Sequence, residues 1–238
     1  KELNCRIDVY WKKGRELHAN FEDLFQPINS STISIKPLNH VILRQGGRFC
    51  NIMNLLRMTK FDKSINGTLN SDNNIREIIG TSKNVYIYAS NRFSIYSASN
   101  PSNYFIPMQD IQKKIDNVVS RFSYTIGVHI RRTDNILSTK ESPLSMFTKK
   151  MDEILSDMPS ASFFLATDEI DVKSELIKKY GNKIITNDFE LSRNSIEGMK
   201  NAVVDLWCLA NTEYILGSTH STYTTMASEL FSKKLYIL

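Results

Sequence analysis

From residue 124 onward the chain alternates short apolar runs with amphipathic stretches, separated by connections of only a few residues. The runs predict strands over residues 124–130, 162–166, 183–186, 214–216 and 235–238. The stretches between them predict helices over 143–155, 172–180, 198–210 and 221–231. Pro143 suits a first helical turn, and Gly181 suits a helix stop. Strands that alternate with helices on short connections cannot pair as hairpins. They stack as a parallel sheet with helices wound on both faces.

The first half is less regular. Strands are predicted over 6–10, 41–44 and 84–88, with a helical patch over 16–25. Residues 66–74, rich in Asn, Ser, Asp and Gly, read as a loop, as do 97–107 with their two prolines. Ile111, Ile115, Val118, Val119 and Phe122 recur at helical spacing, predicting a helix over 109–122. The boundary near this helix divides the chain into 1–120 and 121–238. The opening Lys1-Glu2-Leu3-Asn4 lacks Met and runs straight into an apolar stretch at 5–11. It reads as a helix end feeding a strand, with an upstream strand and helix missing; a short ordered beginning left by a trimmed tag is the alternative.

At 238 residues and 41% hydrophobic, the chain can bury one large core or two modest ones. No apolar run reaches the roughly 20 residues of a membrane span. The net charge of +5 is uneven, at +6 over residues 1–120 and −1 over 121–238. The basic residues are scattered rather than clustered with aromatics, which argues against nucleic acid as a partner. Cys5, Cys50 and Cys208 are too few and too dispersed for a disulfide framework or a zinc site. An odd count without an export signal points to a reducing, cytoplasmic compartment. A peripheral association with a membrane surface stays open.

In a wound parallel sheet, ligands bind beyond the carboxyl ends of the strands. Three predicted strand ends carry polar groups there. The first is His129-Ile130-Arg131-Arg132-Thr133-Asp134, where a period of two sends His129 and Arg131 to the same side. An imidazole beside a guanidinium suits a base or sugar next to a phosphate; an Arg132–Asp134 ion pair is the structural alternative. The second is Ala166-Thr167-Asp168-Glu169, whose acids could instead serve the start of the next helix. The third, Gly217-Ser218-Thr219-His220-Ser221-Thr222, brings hydroxyls and amides to a helix N-terminus, where anions bind. Asp205 lies beside the apolar stripe of helix 198–210; its carboxylate could accept from a guanine ring, although an isolated Asp there is more often a surface residue.

These residues resemble a known family. The run Ile126-Gly127-Val128-His129-Ile130-Arg131-Arg132-Thr133-Asp134 resembles the first motif of the α1,6-fucosyltransferases and the related nodulation fucosyltransferases. Phe163-Phe164-Leu165-Ala166-Thr167-Asp168-Glu169 looks like their second motif. Asp205-Leu206-Trp207, continuing through Tyr214-Ile215-Leu216-Gly217-Ser218 to Ser221, is similar to the third. The motifs stand in the family's order across residues 121–232. A weaker likeness covers Val9-Tyr10-Trp11 and Phe21-Glu22-Asp23-Leu24-Phe25. The family's Gly-rich loop, which precedes that segment, has no counterpart here, since Gly46-Gly47 falls too late.

The resemblance implies an α/β, GT-B-like fold of two Rossmann-like domains, the C-terminal one a doubly wound parallel sheet and the N-terminal one lacking its first strand and helix. Residues 1–120 would be the acceptor side and 121–238 the nucleotide-sugar side. It implies inverting transfer of fucose from GDP-fucose to a hydroxyl of an oligosaccharide or polysaccharide acceptor. No Asp-x-Asp metal motif occurs; Asp188-Phe189-Glu190, in a predicted loop, comes nearest. No metal or other cofactor is expected, and Arg131 would stabilise the leaving diphosphate instead. By the same resemblance Arg132 would support the site, while Ser218, Thr219 and Ser221 share the phosphates. His129 and Asp205 would hold ribose and guanine, and Asp168 would orient Arg131 or a donor hydroxyl. The family's base, a Glu soon after the first motif, aligns with Thr139; Glu141 and Asp134 are the candidates here. A binding protein without turnover and a transferase using another sugar nucleotide are the alternative readings.

Overall fold

The computed structural model describes residues 5–14, 17–38, 52, 56, 59–66, 72–88, 101–132, 136–189 and 192–238. Its elements run β1 (Ile7–Trp11), α1 (Phe21–Leu24), β2 (Ile33–Pro37), β3 (Lys63–Asn66), α2 (Asp72–Thr81) and β4 (Val85–Tyr88). They continue with α3 (Gln109–Val119), β5 (Thr125–Ile130), α4 (Ile136–Glu141), α5 (Leu144–Asp157), β6 (Ser162–Thr167) and α6 (Ile170–Tyr180). Last come β7 (Ile184–Ile185), α7 (Ile196–Ala210), β8 (Tyr214–Gly217), α8 (Thr222–Leu230) and β9 (Lys234–Ile237).

The chain forms two compact units, one of Lys1–Lys13 with Ile28–Ser99, the other of Gly14–Pro27 with Asn100–Leu238. In the first unit β1 pairs in parallel with β2, and β3 with β4. Asp8 fastens the β1–β2 pair: its carboxylate accepts from Ser34 Oγ at 2.6 Å and Lys36 Nζ at 2.7 Å. Those bonds hold the Asp8 carboxyl down at about 2. Strands β2 and β3 went unpredicted because each is short and polar at alternate positions. Of the loop predicted over 66–74, Asn66 belongs to β3 and Asp72, Asn73 and Asn74 to helix α2, and the strand expected over 41–44 lies outside the described residues.

The second unit carries a five-stranded, wholly parallel sheet in the order β7-β6-β5-β8-β9. Strand β5 is buried at all six positions, as a central parallel strand must be. One face is filled by Ile126, Val128 and Ile130 with Phe147 and Met151 of α5, Leu176 of α6 and Phe163 and Leu165 of β6. On the other face α7 packs against β5, β6, α3 and α8. The predicted strand and helix succession of residues 124–238 is present among the described residues, with α4 an unforeseen α-helix there. Gly181, at φ 55°, ends α6 in a conformation that favours glycine.

Residues 14–27 join this second unit although they precede it by some 80 residues. Backbone bonds run from Gln26 N to Ile106 O at 2.8 Å and from Met108 N to Leu24 O at 3.0 Å. Phe25 lies 5.4 Å from the Phe105 ring and 5.7 Å from Trp207. Phe21 and Leu24 are almost wholly buried, each stabilising by about 1.5–3 kcal/mol. Only Phe21–Leu24 of the patch predicted over 16–25 is helical. Helix α3, placed with the first half by a boundary at 120, packs here on α7.

Strand order reverses between β5 and β8. From β5 the chain builds outward through β6 to β7, then returns to lay β8 and β9 on the opposite side. The carboxyl ends of β5 and β8 therefore border the crevice that opens where connections diverge to opposite sides. Gly127 permits this junction: a Cβ there would come within 2.7 Å of Thr212 Oγ1 and 3.2 Å of Leu209 Cδ2. Gly127→Ala should lower unfolding free energy by about 1–3 kcal/mol, from overpacking in a buried strand. Urea unfolding followed by circular dichroism checks this.

Candidate functional site

The residues at the switch point are fixed mainly by bonds between strand ends. Ser218 N donates to His129 O at 3.2 Å, and Ser218 Oγ accepts from Arg131 N at 3.1 Å. Asp168, at the end of β6, binds both arginines. Its Oδ1 accepts from Arg132 N at 2.8 Å, and its Oδ2 lies 3.5 Å from Arg131 Nε. The Arg131 side chain keeps 19% exposure, so its cation is held but not sealed from the crevice. Asp168 thus works on the β5 end, and Glu169, the N-cap of α6, gives that helix no side-chain cap.

Arg132 turns elsewhere. Its Nη1 donates to Ser142 O at 2.9 Å, while the enclosed Nη2 has no hydrogen-bond partner among the described residues. Burial draws its pKa below the ordinary value, with Glu169 and Asp168 opposing. Ser142, wholly buried, accepts from Thr219 N at 2.9 Å and donates to Leu238 O, tying the end of α4 to the β8–α8 loop and the last strand. Asp134, the other half of the expected Arg132 pair, lies outside the described residues, as does Glu190.

Period-two geometry sends His129 to the α8 face. Its Nδ1 meets Thr224 Oγ1 at 2.6 Å, and its ring lies 4.9 Å from Tyr223 at 34°. Tyr223 is itself anchored, its hydroxyl donating to Ala202 O at 2.6 Å. His129 is 6% exposed, and burial lowers its pKa to about 4, with Asp168 opposing and Arg131 assisting. Gly217 allows this close approach of α8, because a Cβ there would stand 2.2 Å from Thr224 Cγ2.

Asp205 corrects the surface reading. Helix α7 is buried around most of its circumference, and Asp205 is 5% exposed. Its Oδ1 accepts from Asn187 Nδ2 at 2.6 Å, just past the end of β7. Lys173 of α6 donates to the Asn187 carbonyl and pairs with Asp188 at 3.1 Å, so Asp188 has a basic partner in its loop. Burial raises Asp205 to about 7, while Asn187 and then Lys173 pull it down.

Ser221 caps α8, its Oγ accepting from Thr224 N at 3.4 Å, and Ser218 Oγ lies between β5 and β8. Glu141, at the end of α4, meets His220 Nε2 at 2.9 Å, and both side chains are 51% exposed. The structure therefore brings His129, Arg131, Arg132, Asp168, Ser218, Thr219 and Ser221 to adjoining strand and loop ends, with Asp205 on the helix behind. Sequence reading missed Thr224, Tyr223, Asn187 and Ser142. Asn187 stands just past a strand end and Tyr223 and Thr224 in a first helical turn, which was the signal available for them, whereas Ser142 follows a helix end that the sequence did not foretell. Among the described residues no three His, Cys, Asp or Glu side chains form a metal-holding group. Nor is any helix among them long and apolar enough to cross a membrane.

The arrangement is a fixed cation and a row of loop amides at a topological switch point, flanked by a buried imidazole and a buried carboxylate. Solved structures of fucosyltransferases share the fold of this chain. NodZ α-1,6-fucosyltransferase co-crystallised with GDP superposes with a TM-score of 0.58 at 16% identity, covering 94% of this chain and 82% of its own. A mutant of Arabidopsis thaliana FUT1 in complex with GDP gives 0.61 at 11% identity, covering 99% and 70%. Fucosyltransferase NodZ from Bradyrhizobium gives 0.57 at 14%, covering 94% and 82%. The chain has the GT-B fold of these enzymes, as its three motifs implied. No protein-family model and no curated protein matches its sequence.

The two buried titrating groups act on stability in opposite directions. Asp205 binds its proton more tightly folded than unfolded, so its contribution is full below about pH 4 and is lost as pH rises toward 7. His129 binds its proton less tightly folded, so its contribution is full above about pH 6.5 and is lost as pH falls toward 4. Asp205→Asn should leave a protein whose stability climbs between pH 4 and 6.5. His129→Gln should leave one whose stability declines between pH 4 and 7. Urea unfolding at stepped pH measures both slopes.

Proposed function

We propose that the chain is an inverting glycosyltransferase that moves fucose from GDP-fucose to a hydroxyl of an oligosaccharide or polysaccharide acceptor. The observation that carries this reading is the placement of Arg131, held by Asp168 and bonded through its amide to Ser218, at the switch point of a fucosyltransferase fold. Departure of GDP builds negative charge on its β-phosphate. A guanidinium already fixed beside that position lowers the barrier without the cost of reorganising.

Other residues follow in support. Asp205 would accept from the guanine ring, with Asn187 holding its carboxylate in place. His129, neutral and fixed by Thr224, would present its second ring nitrogen to the ribose. The His220–Ser221 segment would face the phosphates with its backbone, since the Thr219 amide and the Ser221 and Ser218 hydroxyls already bond within the protein. Arg132 would brace the phosphate loop through the Ser142 carbonyl. Of the two candidate bases, Asp134 and Glu141, we assign the role to Glu141. It is half exposed and stands beside the β8–α8 loop. No metal takes part in this mechanism. The first unit would serve the acceptor and the second the donor, in the cytoplasm.

Incubation with GDP-fucose and a glycan mixture should release GDP, and Arg131→Ala should slow release on the order of a hundredfold or more. Activity should persist in EDTA, and GDP should raise the melting temperature more than UDP does. GDP binding without release, near-normal turnover in Arg131→Ala, or strong metal dependence would overturn the assignment.

A further inference from the structure

Helix α6 carries a lysine that ties the loop after β7 to the helix behind the candidate site. Strand β7 is two residues long, pairing Ile184 with Phe163 and Ile185 with Phe164. So short an edge strand gives the residues after it little ladder to hold them. Thr186 Oγ1 donates to Leu165 O at 2.9 Å, which carries the hold one residue further. At Asn187 a side chain takes over, as Lys173 Nζ donates to the Asn187 backbone carbonyl. The Asn187 side-chain amide in turn donates to Asp205 Oδ1 at 2.6 Å. A path of hydrogen bonds thus runs from α6 through the β7 loop to α7.

The other bond of Lys173, to Asp188 at 3.1 Å, does not explain its place. Asp188 is 95% exposed, and an ion pair to so exposed a carboxylate contributes little. The lysine side chain itself is only 19% exposed, and it stands near the start of α6, where the helix dipole disfavours a cation. Its bond to the Asn187 carbonyl offsets that cost. The titratable groups that face Asp205 are Lys173 on α6, Cys208 on α7 and Tyr223 on α8, with Arg121 acting on Cys208 and Arg131 on Tyr223. Burial pushes the Cys208 thiol and the Tyr223 phenol up, so neither is charged at neutral pH. Burial also raises Asp205, and the field of Lys173 opposes that rise.

We propose that Lys173 is a positioning residue for nucleobase recognition: by gripping the Asn187 carbonyl it fixes the side-chain amide that aims Asp205 at a base presenting N–H donors. The inference rests on the nucleotide-sugar reading above. A base N–H needs an ionised carboxylate with an oxygen turned toward it, since a protonated carboxyl brings a donor of its own. Without the Asn187 amide, the Asp205 carboxyl would lose both its orientation and a bond that favours its ionised form. Lys173 secures the first through the loop backbone and assists the second through its charge. Its action passes through Asn187 and its field, without contact with the nucleotide.

The test is calorimetric titration of the full chain with GDP and with UDP from pH 6 to 8.5. GDP binding that draws on the carboxylate should strengthen as pH rises through the Asp205 midpoint of about 7. Lys173→Met should weaken GDP about tenfold at pH 7 and carry that rise to higher pH, so that part of the loss is recovered at pH 8.5. Lys173→Arg, which keeps the charge and the donors, should restore affinity and profile to within about twofold. In Asp205→Asn the rise with pH should vanish, and adding Lys173→Met should then cost little more. Should Lys173→Met fail to fold, Lys173→Gln, uncharged but still a donor, reads the same shift of profile. Unchanged affinity and profile in Lys173→Met, with Asp205→Asn impaired, would overturn the role of Lys173 and leave the base contact standing. A loss equal at every pH and not rescued by Lys173→Arg would overturn it as well, in favour of a merely structural lysine. Unchanged GDP binding in Asp205→Asn would remove the base contact and this inference together. GDP bound no better than UDP by the unaltered chain would overturn the GDP-fucose reading, and this inference with it.

Discussion

The short ladder between β5 and β8, pairing Gly127 through His129 with Ile215 through Gly217, is the constraint on which the site depends. It is where two runs of strands, built in opposite directions, meet. Because both strands are parallel, their carboxyl ends finish at the same edge, and the residues that follow cannot avoid each other. The Ser218–His129 and Arg131–Ser218 bonds extend the ladder one step beyond the strands. Asp168 then draws the neighbouring β6 end into the same group. The position of Arg131 is thus a product of sheet topology, with side-chain bonds supplying the last adjustment.

The second unit was legible in the sequence because its strands are buried on both faces and its helices on one. Apolar runs such as 126–130 and 163–166 and the stripe of α7 leave little choice of period. The first unit was less so: β2 reads Ile-Ser-Ile-Lys-Pro and β3 Lys-Ser-Ile-Asn, too short for periodicity to tell strand from loop. Residue types at strand ends identified Arg131, Asp168 and Ser218, whose positions follow from the fold. They could not reveal Asn187 against Asp205, or Glu141 against His220. Those contacts bring together segments 18 and 79 residues apart, and chain spacing carries no trace of them.

Burial sets the character of the two groups that we propose contact the nucleoside. His129 loses its affinity for protons because an imidazolium would have to be stripped of water beneath α8, and Asp205 gains affinity because a carboxylate would. Each is held near neutrality by the same physics acting on opposite charge types. Near pH 7 the imidazole is uncharged, whereas the carboxyl lies close to its midpoint. A ligand donating N–H groups to Asp205 would favour its ionised form, so binding and proton release are linked at that residue.

The second unit is discontinuous along the polypeptide, with Gly14–Pro27 contributed from ahead of the first unit. The covalent chain consequently passes between the units three times. Severing it once at residue 100 would strip Phe21, Leu24 and Phe25 from their places against Phe105 and Trp207. An independently folding version of the second unit would have to be rebuilt by grafting residues 14–27 directly ahead of residue 100.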